Sequence, residues 1–210
     1  VWAEENTRES IFNAFKRKET FATSGPRIKI RFFGGYAIDK FKIDDIDLIK
    51  KVSSASTPMG GDIQSNSATS PTFLIWAVAD PYSGLLQRSQ IIKGWIENGE
   101  HNERIYDVAC SDGLDVDPIN NRCPDNGSKV NLDDCSTTSN VGDSELKVFW
   151  KDPDFKKNQS AFYYVRVLEN PSCRWSAWDS IRAGKMPRSD VDSIIQERAW
   201  SSPIWIKSLE

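Results

Sequence analysis

The chain has 210 residues, 39% of them hydrophobic and 27% charged, with a formal charge of −3. That suits one folded core and excludes a fibre or a disordered tail. No apolar run approaches the roughly 20 residues needed to span a bilayer, and no basic stripe points to nucleic acid.

The opening stretch has no Met and no charged-then-apolar leader, so it reads as beginning inside something larger. Asn6 is expected to cap an amphipathic helix, with Glu9 as its capping-box partner. Ile11, Phe12 and Phe15 form one stripe of that helix, and Arg8, Lys16, Arg17 and Lys18 face water. Glu4, Glu5, Arg8 and Glu9 cluster where the helix dipole favours carboxylates, which needs no catalytic explanation.

RIKIRFF (27–33) alternates charged and apolar residues, the period of a half-buried strand, and Gly34 and Gly35 are expected to end it. DDIDLIKKV (44–52) suggests a short helix. Residues 53–71 read as loop, with a brief extended piece at 61–64. TFLIWAVA (72–79) is nearly all apolar, which predicts a central strand buried on both faces. SQIIKGWIE (89–97) reads as its hairpin partner across the turn DPYSG, and ERIYDVAC (103–110) as a third strand after the turn NGEHN. A Cys- and Asp-rich insertion then runs to about residue 145. ELKVFW, AFYYVRVLE and AWSSPIWIK supply further strands, with a small helix near residues 176–182. The pattern is mainly β: an antiparallel β-sandwich with an N-terminal amphipathic helix and one or two short helices.

The spacing of Cys110, Cys123, Cys135 and Cys173 lacks the short paired intervals of a zinc finger and favours disulfides. Cys123 and Cys135, flanking the turn-rich PDNGSKVNLDD, are expected to pair first, leaving Cys110 for Cys173. Two bridges imply an oxidising compartment, periplasmic or extracellular; four reduced thiols in a cytosolic protein stay open as the alternative. His101, the single histidine, reads as an exposed hairpin-tip residue, and one imidazole cannot build a multi-histidine metal centre. Asp112, Asp115, Asp117 and Asp125 offer hard oxygen donors for calcium, without the EF-hand pattern, against solvated turn residues as the plainer reading. Eight tryptophans either fill the core or supply a stacking platform for sugar, Trp76, Trp95, Trp150, Trp175, Trp178, Trp200 and Trp205 all lying in or beside expected strands.

Long words in order, WAEENTRESIFNAFKRKETFATSGPRI (2–28), PMGGDI (58–63), ADPYSGLLQRSQIIKGW (79–95), YDVACSDG (106–113), AFYYVRVLENPSCRW (161–175) and IQERAWSSPIW (195–205), resemble the C-terminal part of a bacterial family known as domain of unknown function 3604. Members resemble the PHP superfamily of metal-dependent phosphoesterases, in which a distorted α/β barrel holds histidines and carboxylates around two or three divalent metals. The resemblance implies that residues 1–25 are the last helix of that otherwise absent catalytic domain, and 26–210 an appended β-sandwich with a disulfide-containing insertion at about 111–145. No catalytic or metal ligand carries over onto this sequence, so the expected role is a non-catalytic sandwich bracing the missing N-terminal domain, with no cofactor of its own. The competing expectation is a free-standing glycan-binding module.

Overall fold

The computed structural model describes residues 1–65 and 69–208; residues 66–68 of the expected loop lie outside them. Helix α1 (Arg8–Lys16) is capped one residue later than expected: Thr7, with extended backbone, accepts the Ser10 amide at 3.3 Å. Asn6 is therefore not the cap, and Glu9 falls too early in the first turn to reach back as a capping-box residue. The helix is shorter than the 1–25 segment expected for it. Glu19 N–H donates to Ala14 O and Lys18 N–H to Phe15 O, closing a Schellman turn in which Lys18 takes the left-handed conformation (φ 58°). Gly60 (φ 90°) passes so close that a Cβ there would lie 2.5 Å from the Lys18 carbonyl oxygen.

Beyond the helix the chain builds two facing sheets. The larger contains β1 (Phe21–Thr23), β4 (Asp62–Ser65), β6 (Leu86–Glu97), β7 (Glu100–Cys110), β9 (Ala161–Glu169), β12 (Arg198–Ser201) and β13 (Ile204–Ser208). The smaller is ordered β3 (Thr57–Pro58), β2 (Lys29–Gly35), β5 (Thr72–Val78), β8 (Glu145–Lys151). Gly34 and Gly35 do not end β2; they stay in register opposite Phe73 and Thr72. Strand β9 is the axis of the larger sheet. One side pairs with β6, and the other with β12 and then β13, which are separated at Pro203, a residue with no amide hydrogen to donate. β12 carries β1 on its far edge, and β13 carries β4 in parallel.

The main core lies between the sheets, with Ile30, Phe32, Phe73 and Ile75 from one meeting Ile91, Tyr163, Val165 and Ile206 from the other. The opposite face of the small sheet is covered by α2 (Leu48–Ala55), whose Leu48 and Val52 pack with Phe33, Ile38 and Leu74. β5 is thus buried on both faces, which is why its sequence does not alternate. The expected hairpin of β5 with β6 is not formed. β5 pairs with β2 and β8, β6 with β7 and β9, and the DPYSG turn carries the chain from one sheet to the other. Asp80 anchors that crossing by accepting the Arg27 amide at 2.7 Å and the Tyr82 amide at 3.0 Å. The hairpin is β6–β7, turned at Asn98 and Gly99, both with positive φ.

All four cysteines are paired, but as Cys110–Cys123 and Cys135–Cys173 rather than Cys123–Cys135 and Cys110–Cys173. The reason lies in β7. Asp107 N–H donates to Asn121 O, and Asp107 Oδ2 accepts the Cys123 amide at 2.8 Å, which lays the early insertion back along the strand and brings Cys123 beside Cys110. Cys135 is left to reach Cys173 in β10 (Ser172–Cys173), which pairs with β11 (Ile194–Ile195) and precedes α3 (Trp175–Arg182). That bridge packs with Ala177, Val130 and Ile181 in a small satellite cluster.

A charged network crosses the sandwich near one end. Lys93, 2% exposed, donates to Asp152 Oδ2 at 2.6 Å and to Asp154 O at 2.9 Å. Tyr163 OH donates to the same Asp152 oxygen and Tyr106 OH to Asp154 Oδ2, each at 2.7 Å. Burial, reinforced by these carboxylates, pushes both phenols well above their ordinary range. Lys93 belongs to the large sheet and Asp152 follows the last strand of the small one, so the pair ties the layers together.

Glu169, at the end of β9 and 1% exposed, is a second buried ionisable group. Its Oε2 accepts the Ser83 hydroxyl at 2.7 Å, while Oε1 has no partner among the described residues. Burial pushes this carboxyl up to about 7 from an ordinary value of 4.5; the bonds from Ser83 and Gly84 oppose that shift, and the charges of Glu197 and Asp80 add to it. The folded state keeps its proton where the unfolded chain has lost it, so stability falls as pH rises from about 4.5 to 7 and levels off above. The expected loss is on the order of 2–3 kcal/mol. Urea titrations across that range should show the slope in the parent chain and a flatter profile in Glu169→Gln; equal slopes would contradict the assignment.

Candidate functional site

The two aromatic strands of the large sheet build a groove. Register places Glu103, Gly94, Phe162, Trp205 and Asp62 in one row across β7, β6, β9, β13 and β4. A Cβ on Gly94 would fall 2.2 Å from Phe162 Cζ, so the ring lies over the bare backbone of β6. Any larger residue at 94 displaces it. Phe162 and Trp205 are in contact, with centroids 5.0 Å apart and planes tilted 48°, and Trp205 is 44% exposed.

Trp95 and the β8–β9 connection complete a cavity of about 800 Å³, within the size range of small-ligand sites. Lys156 in that connection donates to Glu97 Oε1 at 2.7 Å, and Trp95 Nε1–H points to Glu97 Oε2 at 3.4 Å. The bond from Lys156, then that from Trp95, holds the Glu97 carboxyl below its usual range. The wall is anchored from beneath, because Lys93 binds the Asp154 carbonyl and Ser65 Oγ donates to the Lys157 carbonyl at 2.9 Å. Asn158 and Gln159 add amides to the rim. The arrangement offers apolar ring faces beside paired donors and acceptors; among the described residues no nucleophile with an activating base is assembled in it.

Other expected residues fall elsewhere. His101 is exposed as expected, yet it belongs to β7 opposite Ile96 and lines the groove. The tryptophans divide between roles. Trp150 packs on Phe73 and Tyr106 at the core, and Trp76 Nε1–H donates to Glu145 at 2.5 Å on the face covered by α2. Trp175 and Trp178 are exposed on α3, away from the groove.

The calcium candidates are not brought together. Asp112 accepts the Gly142 amide, the Ser111 hydroxyl and the Asn126 side chain. Asp117 organises its own turn through Ile119 N–H and Asn120, Asp125 accepts the Gly127 amide, and Asp115 is exposed. Among the described residues no group of three or more His, Cys, Asp or Glu side chains is placed to hold a metal ion. The imidazole-rich donor set that the PHP resemblance implies does not fit the residues described here. No helix among them is long and apolar enough to cross a membrane.

Sequence reasoning weighed a tryptophan platform but missed this groove, because its floor depends on the pairing of residues 94, 162 and 205. A bulky ring opposite a strand glycine is the one available signal. No curated protein and no solved structure matches the chain. A family model does match, over residues 1–208, and the chain belongs to the family described as protein of unknown function (DUF3604).

Proposed function

We propose that this chain is a non-catalytic β-sandwich that binds a glycan in its aromatic groove, as an accessory to a PHP-like metal-dependent hydrolase domain. The observation that carries the reading is the ring pair Phe162–Trp205, partly exposed on the outer face of the sheet, with amides at the rim. Aromatic faces stack on the CH faces of pyranoses, and amides meet hydroxyls as donor and acceptor together. Trp205→Ala is expected to weaken binding of cello- or chito-oligosaccharides by about tenfold or more, read by calorimetry. Absence of binding to either series in the parent chain would remove the reading.

A bracing role has its own support. Phe12 and Phe15 of α1 are 58% and 57% exposed, and Ala14 is the buried residue of that helix. Two adjacent phenyl faces on one helix suit a covering surface, here a hydrolase domain supplied by the same family. Phe12→Ser with Phe15→Ser should leave the melting temperature of this chain within about 2 °C, because surface changes cost little, while abolishing its association with that domain added in trans. Unchanged association would end the bracing role. The two disulfides support an oxidising compartment, periplasmic or extracellular.

A further inference from the structure

We infer that the groove selects neutral or amino-bearing sugar chains and rejects polyanionic ones such as polyuronates. This rests on the glycan-binding reading above and adds the charge of the ligand to it. The cations near the rings are already neutralised. Lys156 is paired with Glu97 at 2.7 Å, Lys207 with Asp62 at 2.6 Å beside Trp205, and Arg104 with Asp154 at 2.7 Å on the adjoining strand. Buried Lys93 is spent on Asp152. What remains is acidic: Glu103 lies at the end of the Gly94–Phe162–Trp205 row, is exposed, and forms no ion pair among the described residues.

A carboxylate-bearing sugar stacked on Phe162 and Trp205 therefore meets the Glu103 carboxylate first, because Arg166, the cation that acts on Glu103, lies four residues along β9 from Phe162 and donates to Gln90. A neutral hydroxyl or an ammonium group meets an acceptor. Like charges a few ångströms apart across solvent cost roughly a factor of ten in affinity at low ionic strength, and salt screens that penalty. The discrimination should consequently shrink as salt is added.

The test is calorimetric titration of the whole chain with cellohexaose, a chitosan hexamer and hexagalacturonate, at low and at high salt. Cellohexaose and the chitosan hexamer should bind, and Trp205→Ala should weaken both by about tenfold or more. Hexagalacturonate should bind about tenfold more weakly than cellohexaose at low salt, with Glu103→Gln and high salt each narrowing the gap. Hexagalacturonate bound as tightly as cellohexaose at low salt, or a gap untouched by Glu103→Gln, overturns the charge selection and leaves the groove reading standing. If none of the three binds, or if Trp205→Ala leaves the affinity unchanged in a variant with the parent's near-ultraviolet circular dichroism, both are overturned.

Discussion

Lys93→Met is expected to lower the unfolding free energy by about 3–5 kcal/mol, the usual cost of leaving a buried carboxylate without its cation. Asp152 is 4% exposed, its carboxylate already accepts the Tyr163 hydroxyl, and its amide donates to Ser70 Oγ. It cannot turn to water when the ammonium is removed. For a chain of this size the melting temperature should fall by roughly 10 °C. The paired change Lys93→Met with Asp152→Asn should recover more than half of the loss, since Asn still accepts from Tyr163 and no charge remains buried. Denaturant titrations of the three variants decide the matter. A single variant as stable as the parent would mean that Lys93 is not held dry between the layers.

The second large effect belongs to the bridge between Cys135 and Cys173. It spans 38 residues, and the chain-entropy account gives about 4 kcal/mol for a loop of that length, against about 3 for the 13-residue loop of Cys110–Cys123. Apolar packing here is thin, a satellite cluster of the two cysteines, Ala177, Val130 and Ile181, beside the local hydrogen bonds of Lys129 with Thr138 and of Asn131 with Ser136. Replacing both cysteines by Ala should therefore release amide protection in residues 128–140 and in α3, while β5, β6 and β9 keep theirs. Hydrogen exchange read by mass spectrometry separates the outcomes. Equal protection of α3 in the two forms would show that packing alone suffices there.

Much of this architecture is legible one segment at a time. The alternation in RIKIRFF, the unbroken apolar run of β5, and the strands ELKVFW and AFYYVRVLE all follow from burial of one face or two. What the segments cannot announce is their partner. DPYSG looks like a hairpin turn because its local chemistry is that of any turn, yet the flanking strands enter different sheets. The cysteine pairing fails for the same reason, since an Asp107 side chain, distant from any cysteine motif, decides which sulfurs meet. The groove is also a matter of register. Gly94, Phe162 and Trp205 are ordinary strand residues until three strands align them. Phe12 and Phe15 were readable as an apolar stripe; that this stripe stays bare is a tertiary fact.

The split at Pro203 gives the two earliest strands of the large sheet neighbours that lie far downstream in the sequence. Among the described residues β1 and β4 pair within that sheet with segments 198–201 and 204–208, so both keep open edges until those segments have been made. Such late closure slows folding and invites clumping of nascent chains. The growing chain thus gains from a holding chaperone until segments 198–201 and 204–208 are in place.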